Sequence, residues 1–446
     1  MSNQTLETTC CVVGGGPAGV MLSYLLARSG VAVTVLEKHQ DFFRDFRGDT
    51  VHPSTLDVID ELGILDDFLQ VPHQKLTSAG GVFGNFSFTA ADFRSVPTHC
   101  KFVALMPQWD FLNFLSDKAK QFPGFTLRLE HEAVDLITDS GRVRGVVAQT
   151  PAGPVDVLAD LVVGCDGRHS RMREAADFEV QESGVPIDVL WFRISRVGSD
   201  PEQLFGNINY GKMLILIPRG DYFQAGLIIG KGSFEEIQRR GVEQFREDIH
   251  RIAPYLGDRV NELHDWEQVK LLSVQINRLR RWHRPGLLCI GDAAHAMSPA
   301  GGVGINLAIQ DAVATANILA EPLRQGRVTE LLLARVQQRR EFPTRVTQYV
   351  QVQAHSAFQK VFRNPGPAQA PWQFKAVMNV PGVQQVVARL VGVGVRPEHV
   401  AGARKQPACD GQRLKRIAIA AGLAIAGLTV GLRLLCRSRK PSHSWS

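Results

Sequence analysis

The stretch CIGDAAHAMSPAGGVGINLAIQDA combines residue types that could hold a ligand. An apolar run predicts a buried strand that leads directly into Asp292, and Pro299 follows seven residues later. Three glycines come next, before a helical pattern of apolar residues begins: Gly301, Gly302 and Gly304. Glycines let a backbone approach a ligand closely, and a helix that begins after them presents free N–H groups and positive dipole. The stretch therefore indicates a binding site.

A second glycine cluster lies near the N-terminus, in CCVVGGGPAGVMLSYLLARSGVAVTVLEK. This segment predicts a strand, a tight turn, a helix and a second strand, with the pattern GxGxxG at the turn. Gly14 allows the turn, Gly16 lets the backbone approach a pyrophosphate, and Gly19 lets helix and strand pack closely. Glu37 ends the second strand and can accept hydrogen bonds from ribose hydroxyls. Together these features predict a dinucleotide site, without separating NAD from FAD.

Carboxylates end two further predicted strands. After a predicted β-meander, the run LADLVVGCDG leads into Asp166, and LLCIGDAAH leads into Asp292 in the same way. Ligands of open α/β sheets bind at the carboxyl ends of the strands. We therefore expect the glycine loop and both carboxylates to face one crevice. For Asp166 a helix-capping role is the alternative, since a helix is predicted to start just after it.

These three motifs, in this order and at this spacing, resemble those of the FAD-dependent aromatic hydroxylases (class A flavoprotein monooxygenases). The motifs are GxGxxG with Glu37, the Asp-Gly motif DGRHSRMR and the Gly-Asp motif GDAAHAMSPAGGVGIN. Arg47 and Gln108 stand where the family often places flavin-contacting side chains. The resemblance covers roughly residues 8–350, and its nearest branch is that of the tetracycline-degrading enzymes and polyketide hydroxylases.

The resemblance implies roles for these residues. Asp292 would bind the ribityl hydroxyls, Asp166 would meet the pyrophosphate beside Arg173, and the glycine backbone would meet the pyrimidine edge of the isoalloxazine ring. His295 is expected only to satisfy local hydrogen bonds. The expected cofactor-binding residues are Gly14, Gly16, Gly19, Glu37, Lys38, Arg47, Gln108, Val134, Asp166, Asp292, Gly301, Gly302, Gly304 and Asn306. The residues expected at the reacting ring are Pro299, Arg47 and His52.

The activity that the resemblance implies is that of a FAD-dependent monooxygenase with NADPH or NADH as co-substrate. A flavin hydroperoxide would transfer one oxygen atom to an aromatic, polyketide-like or lipophilic small molecule. A second dinucleotide fingerprint is missing, because GVGVRPEH lacks the third glycine, so the nicotinamide cofactor would bind transiently. Two alternatives are a flavin-dependent reductase of the geranylgeranyl-reductase type and a non-enzymatic prenyl-protein escort. The intact Gly-Asp motif argues against the escort.

The predicted fold is α/β, with a discontinuous FAD-binding Rossmann-like domain, a mixed β-sheet substrate domain and C-terminal helices. The predicted ranges are 8–72, 101–182 and 276–350 for the FAD-binding domain, 73–100 and 183–275 for the substrate domain, 351–403 for the C-terminal helices and 404–446 for a basic tail. The candidate pocket residues on the second sheet are Trp191, Arg193, Met213, Tyr222 and Gln224. Most of these are expected to belong to the sheet core or to a solvent face.

Positive charge concentrates in the tail. The 446 residues include 50 Lys and Arg against 44 Asp and Glu, but nine of the basic residues and one acidic residue lie from Arg404 onwards. The remainder is nearly neutral, which argues against nucleic-acid binding. An apolar run predicts a candidate membrane helix at 417–436, about 30 Å long at 1.5 Å per residue. A helix packed on the body is the alternative. An anchor would imply a lipophilic substrate or product.

The remaining composition narrows the class of protein. The seven cysteines form no CxxC pair and no cluster with histidine at metal-ligand spacing, so we expect no metal site and a reducing compartment. The polar start MSNQTLETT lacks the charged and apolar regions of a signal peptide. We therefore expect a catalytic body in the cytoplasm. The sequence does not indicate an oligomeric state.

Overall fold

The computed structural model describes residues 4–43, 50–201, 204–362 and 366–402. The strands in these ranges are β1 (Gln4–Val13), β2 (Val33–Leu36), β3 (Thr50–Val51), β4 (Gln74–Leu76), β5 (Ser78–Phe83), β6 (Phe86–Asp92), β7 (Val103–Leu105), β8 (Phe125–Arg128), β9 (Glu132–Asp139), β10 (Arg142–Thr150), β11 (Gly153–Gly164), β12 (Val180–Ser183), β13 (Ile187–Ser195), β14 (Leu204–Asn209), β15 (Lys212–Arg219), β16 (Tyr222–Gly230), β17 (Lys270–Leu272), β18 (Ile276–Leu279), β19 (His283–Arg284) and β20 (Leu287–Cys289). The helices are α1 (Pro17–Arg28), α2 (Pro53–Glu61), α3 (Leu65–Phe68), α4 (Gln108–Ala119), α5 (Arg171–Ala175), α6 (Phe234–Arg239), α7 (Val242–Ile252), α8 (Val303–Arg324), α9 (Glu330–Phe362), α10 (Trp372–Met378) and α11 (Val383–Gly392).

An eight-stranded sheet carries the predicted dinucleotide unit. Its strand order is β19-β20-β11-β1-β2-β8, and β10 and β9 extend from β11 as an antiparallel meander. The end of β1 is apolar on both faces, as expected of a parallel strand that is covered on both sides. Cys10 and Val12 pack with α1 and α8, whereas Cys11 and Val13 pack with residues of the meander. This packing places the carboxyl ends of β1, β2, β11 and β20 side by side.

A seven-stranded mixed sheet forms the second layer, in the order β17-β13-β16-β15-β14-β5-β6. It joins two distant parts of the chain, because β14 pairs in parallel with β5, with Gly206 opposite Gly81. A Cβ atom at Gly81 would lie 2.0 Å from the carbonyl oxygen of Gly206, so the two strands approach here without side chains. One face of the sheet packs on α7, and the other packs on α11.

The expected α/β fold, with a mixed sheet and C-terminal helices, is confirmed. The exact division into domains stays a prediction. Among the described residues, one helical stretch, Ala300–Arg324, is long and apolar enough to cross a membrane by length and composition. It consists of α8 and the turn before it, and 78% of its most apolar part is buried inside the protein. That burial is typical of a core helix. The candidate membrane helix at 417–436 lies outside the described residues.

Candidate cofactor and active site

The loop between β1 and α1 is shaped by its glycines. Gly14 has a φ of +104°, and a Cβ atom there would lie 2.5 Å from the carbonyl oxygen of Cys165. A Cβ atom at Gly19 would lie 2.0 Å from the carbonyl oxygen of Gly14. At Gly16, in contrast, a Cβ atom would meet nothing within 4 Å. Open space therefore borders the N-terminus of α1, which has no side-chain cap and no acidic residue in its first turn. This arrangement fits a pyrophosphate.

Glu37 is buried at the end of β2 and holds the glycine loop. Its Oε2 accepts a hydrogen bond from the backbone N–H of Gly15 at 2.9 Å, and its Oε1 accepts one from His39 at 3.1 Å. The carboxylate thus orders the loop, in addition to the ribose contact that its position predicts. Lys38 is exposed beside it and lines an open groove of about 470 Å³. Val134 lies on β9 with 44% of its surface exposed, and its cofactor role stays a prediction.

Asp166 and Asp292 follow β11 and β20, which are neighbours in the sheet, so the structure brings the two strand ends together as expected. Both oxygens of Asp166 meet the start of α5: Oδ1 accepts from the Ser170 hydroxyl at 2.6 Å and Oδ2 from the N–H of Met172 at 3.1 Å. Burial raises the pKa of Asp166, and these two hydrogen bonds oppose that rise. The N-cap of α5 is Ser170, and Asp166 supports this helix start by holding the Ser170 hydroxyl and the N–H of Met172.

Two arginines of the Asp-Gly motif follow Asp166 in the chain, Arg168 and Arg173. A guanidinium nitrogen of Arg168 lies 3.6 Å from Oδ2 of Asp292. Arg173 donates to the carbonyl oxygen of Arg168 at 2.5 Å. Each guanidinium also has a buried Nη1 with no hydrogen-bond partner in the structure as described. Buried donors without partners are rare in proteins, so these two nitrogens fit an anionic group such as a pyrophosphate. Sequence reasoning missed Arg168, although the three arginines of DGRHSRMR gave a signal.

The turn before α8 has two left-handed glycines, Gly301 with a φ of +80° and Gly302 with a φ of +63°. The hydroxyl of Thr50 donates to the carbonyl oxygen of Gly302 at 3.1 Å. A Cβ atom at Gly302 would lie 2.2 Å from that hydroxyl oxygen, whereas one at Gly304 would meet nothing within 4 Å. Pro299 precedes the turn, and its carbonyl accepts from the N–H of Gly302 at 3.0 Å. Backbone therefore lines an open space at the N-terminus of α8.

His52 lies against this turn. It is only 2% exposed, and its Nε2 would be 3.3 Å from a Cβ atom at Gly302. Neither ring nitrogen makes a hydrogen bond of good geometry with the residues that the structure describes. Burial lowers the pKa of His52 to about 4, and the nearby backbone of Val391 and Gly302 opposes this shift. A neutral imidazole therefore adjoins the turn at neutral pH. Arg47, the other expected ring contact, lies outside the described residues.

Two other expected cofactor residues are Asn306 and Gln108. Asn306 is buried on α8, and its Oδ1 accepts from the hydroxyls of Ser54 at 2.7 Å and Thr55 at 2.9 Å. This bond pair ties α8 to α2. Gln108 is the first residue of α4 and is half-buried. The cofactor roles of Asn306 and Gln108 stay predictions.

His295 bonds to Asp311 at 2.5 Å, which agrees with the expected local role. Asp311 is fully buried and also accepts from the N–H of Gly291 at 3.0 Å and from Nε of Arg340 at 2.9 Å. Arg340 also donates to Glu398, so the network ties the C-terminal segment to the turn that carries the Gly-Asp motif. Sequence reasoning missed this network, because its members lie far apart in the chain.

The candidate pocket residues divide between two environments. Trp191 is buried against Gly226, where a Cβ atom would lie 2.9 Å from the indole ring. It shares an apolar cluster with Met213 and Val391. Val391 also packs beside Met297 and Val303 at the glycine turn, so this face of the sheet adjoins the turn. The remaining candidates do not join that cluster. The guanidinium of Arg193 stacks 5.0 Å from the ring of Tyr222, and Gln224 is buried in β16.

Comparisons with known proteins identify the class. Residues 7–350 match the family model described as the FAD binding domain, and the chain belongs to this family. It is 33% identical over 401 residues to the 6-methylpretetramide 4-monooxygenase of Streptomyces rimosus, with 86% of this chain and 92% of that protein covered. It is 26% identical over 313 residues to the rifampicin monooxygenase of Streptomyces venezuelae, with 68% of this chain and 61% of that protein covered.

Solved structures agree in fold. The OxyS anhydrotetracycline hydroxylase from Streptomyces rimosus superposes with a TM-score of 0.69 at 22% identity, with 91% of this chain and 78% of that chain covered. The chain is accordingly a FAD-dependent monooxygenase that uses NADPH or NADH as co-substrate. Bound FAD supplies the redox chemistry, which is acceptance of hydride and activation of oxygen. The residues around it bind, orient and exclude water.

Proposed function

We propose that this monooxygenase hydroxylates an aromatic, polyketide-like small molecule. The observation that carries the proposal is the 33% identity to a pretetramide monooxygenase, because it extends over 92% of that protein rather than over the FAD-binding part alone. The anhydrotetracycline hydroxylase supports only the fold, since its identity to this chain is 22%.

The proposed cofactor contacts follow from the geometry. The N-terminus of α1 receives the pyrophosphate, where the space beside Gly16 is open, and the unpaired nitrogens of Arg168 and Arg173 supply positive charge. Glu37 accepts a hydrogen bond from a ribose hydroxyl while it holds the loop, and Asp292 accepts from the ribityl chain. Glu37 already accepts hydrogen bonds from the backbone, and Asp292 lies beside Arg168. Each carboxylate therefore has a structural function as well as a contact with the cofactor.

The proposed ring site is the space at the N-terminus of α8. The helix dipole places partial positive charge there and favours the anionic, reduced form of the ring. Backbone N–H groups near Gly302 face the pyrimidine edge, and Pro299 borders the face where oxygen reacts. The neutral imidazole of His52 can offer one donor and one acceptor to the ring or to a substrate oxygen.

The proposed substrate surface is the face of the second sheet that carries Trp191 and Met213. This face supports the assignment because it adjoins the glycine turn through Val391. Apolar and aromatic side chains are suited to a flat polycyclic ligand, which buries large area against them. Arg193, Tyr222 and Gln224 are weaker candidates, since they do not join this cluster.

The test compares two substrate classes with one enzyme preparation. Fused-ring phenols and linear prenyl lipids are each supplied with NADPH in air, and products are identified by mass spectrometry. The proposal expects a gain of one oxygen atom on a fused-ring phenol and faster NADPH oxidation in its presence. Gain of two hydrogen atoms on a prenyl lipid would instead support the reductase alternative. Reactions without NADPH serve as the control.

We also propose that the tail anchors the protein to a membrane, with the catalytic body in the cytoplasm. The sequence supports this with an uncharged apolar run at 417–432, flanked by basic residues that attract anionic lipid. A version ending at Gly402 is the suitable comparison, because Val400 donates to Glu61 and Ala401 to Asn317 and both bonds are kept. Full-length protein should sediment with membranes and the shortened version should not. If both remain in the supernatant at low salt, there is no anchor.

A further inference from the structure

The segment from Ala296 to Ala300, which carries Pro299, is held largely by side chains of another element. Apart from Asn277, which exchanges bonds with Ala296, few backbone groups of the segment have partners in neighbouring strands. Helix α9 provides the main contacts, through three residues of one buried face: Gln348, Gln351 and His355. Their spacing of three and then four residues places them on one side of the helix.

Gln351 contacts the groups on both sides of the proline. Its Nε2 donates to the carbonyl oxygens of Ser298 and Ala300, each at 3.0 Å, and its Oε1 accepts from the N–H of Ser298 at 3.2 Å. Pro299 itself has no N–H to donate. One amide side chain therefore satisfies three of the backbone groups that fix the orientation of this proline.

The two flanking residues of α9 extend the contact. Gln348 donates to the carbonyl oxygens of Asn277 at 2.7 Å and Ala296 at 3.1 Å. His355 lies 3.0 Å from the hydroxyl of Ser298, and that hydroxyl also accepts from the N–H of Ala300 at 3.1 Å. Side chains with these polar groups are buried at a cost unless their hydrogen bonds form, so the contacts specify one geometry of the segment.

We propose that Gln351, together with Gln348 and His355, is a positioning residue that sets where Pro299 lies against the flavin ring. The inference rests on the ring site proposed above. It adds residues to that site from α9, and both Gln351 and His355 lie beyond residues 7–350, which match the family model. Loss of the α9 contacts would leave the cofactor bound at its pyrophosphate end, while the segment beside the ring would move.

The test uses full-length, FAD-loaded protein with the variant Gln351→Glu. The new side chain has the same shape and still accepts from Ser298, but it places an oxygen against two carbonyl oxygens. The matched control is Gln338→Glu, which introduces the same charge on an exposed part of α9. Readouts are the Kd for FAD, quenching of bound flavin fluorescence by iodide, and hydrogen peroxide formed per NADPH consumed in the presence of a fused-ring phenol that the wild type hydroxylates.

For Gln351→Glu we expect the Kd for FAD to change by less than about tenfold, because the contacts at α1 are kept. Iodide quenching and peroxide yield should each rise by at least about twofold, since the loosened segment exposes the ring to water. Ser298→Ala, which deletes one hydroxyl, should raise both iodide quenching and peroxide yield. This variant replaces Gln351→Glu in the test if Gln351→Glu does not fold. Values equal to those of the wild type and Gln338→Glu in both variants would overturn the inference. Failure of the wild type to bind FAD would instead overturn the proposed function.

Discussion

The carboxylate of Glu37 accepts a hydrogen bond from the backbone N–H of Gly15 at 2.9 Å, although 22 residues separate them. The end of β2 thereby fixes the glycine loop that follows β1. The loop is consequently ordered by the protein, and a ribose contact at the same carboxylate would add binding energy to a geometry that already exists.

Replacement of Glu37 by alanine should weaken FAD binding, because both the ribose contact and the bond to Gly15 are lost. A hydrogen bond to a charged group contributes about 1.5–3 kcal/mol, which corresponds to a rise in Kd of roughly 10-fold to 100-fold. Titration of apoprotein with FAD, followed by fluorescence, measures the change. Glu235→Ala, at an exposed position on α6, is the control and should leave Kd unchanged. A wild-type Kd for Glu37→Ala would show that the carboxylate does not serve the cofactor.

Gly302→Ala should damage the protein more than Gly326→Ala. Both glycines have a φ near +63°, so both variants strain the backbone by about 1–2 kcal/mol. Only at Gly302 would the new Cβ atom meet Thr50, at 2.2 Å, and a clash in a packed region adds about 1–3 kcal/mol. Melting temperatures of the apoproteins and bound FAD per chain give the comparison. Equal losses in the two variants would contradict the close contact.

Arg168→Ala should raise the Kd for FAD by about tenfold or more, since the side chain adjoins Asp292 and has a buried nitrogen free to bind an anion. Arg171→Ala is the matched control from the same motif, because its exposed guanidinium pairs with Glu174. The two Kd values are measured by the same FAD titration. If the two variants bind FAD equally well, the anionic part of the cofactor lies elsewhere.

The stability that His52 contributes should be lost between pH 6.5 and pH 4, because this residue is buried uncharged. Its pKa is about 4 in the folded protein and 6.5 when exposed, so only the unfolded chain gains a proton in this window. The contribution of His52 to the free energy of unfolding should decrease by up to roughly 3 kcal/mol as pH falls through the window, and it is fully present above pH 6.5. Asp57 acts in the opposite direction over this range, because burial raises the pKa of its carboxyl to about 6 in the folded protein. Urea unfolding at several pH values measures this. His52→Gln should remove only the share of His52, because burial also lowers the pKa of His355 to about 4. The exposed-site control His264→Gln should leave the pH dependence as it is in the wild type.

Features fixed by the backbone could be predicted from the sequence. The turns at Gly14 and Gly302 need a residue with positive φ, so glycine at these positions predicts the turns. The strands that lead into Asp166 and Asp292 need apolar residues on both faces, so a continuous apolar run predicts each strand. The hydrogen bonds between distant side chains could not be predicted. The contacts of Gln351 with Ser298 cross 53 residues, and their polar partners follow no period that a sequence displays.

The pairing of β5 with β14 shows the same limit at the level of the fold. Two interruptions of the FAD-binding part were expected to share one sheet, but their alternating patterns cannot specify that β5 and β14 run parallel or that Gly81 faces Gly206. Register depends on close approach between strands, which only the folded chain defines. The sequence likewise could not decide between helix capping and cofactor binding for Asp166, since both roles favour the same residue type.

The measurement that tests the central claim most directly is the fate of labelled oxygen. The purified enzyme is supplied with FAD, NADPH, a fused-ring phenol that accelerates NADPH oxidation, and ¹⁸O₂ in unlabelled water. A monooxygenase places one oxygen atom of O₂ in the product and reduces the other to water, so the new hydroxyl should carry ¹⁸O. A product hydroxyl that carries only ¹⁶O, or a product that gains hydrogen with no requirement for oxygen, would contradict the account.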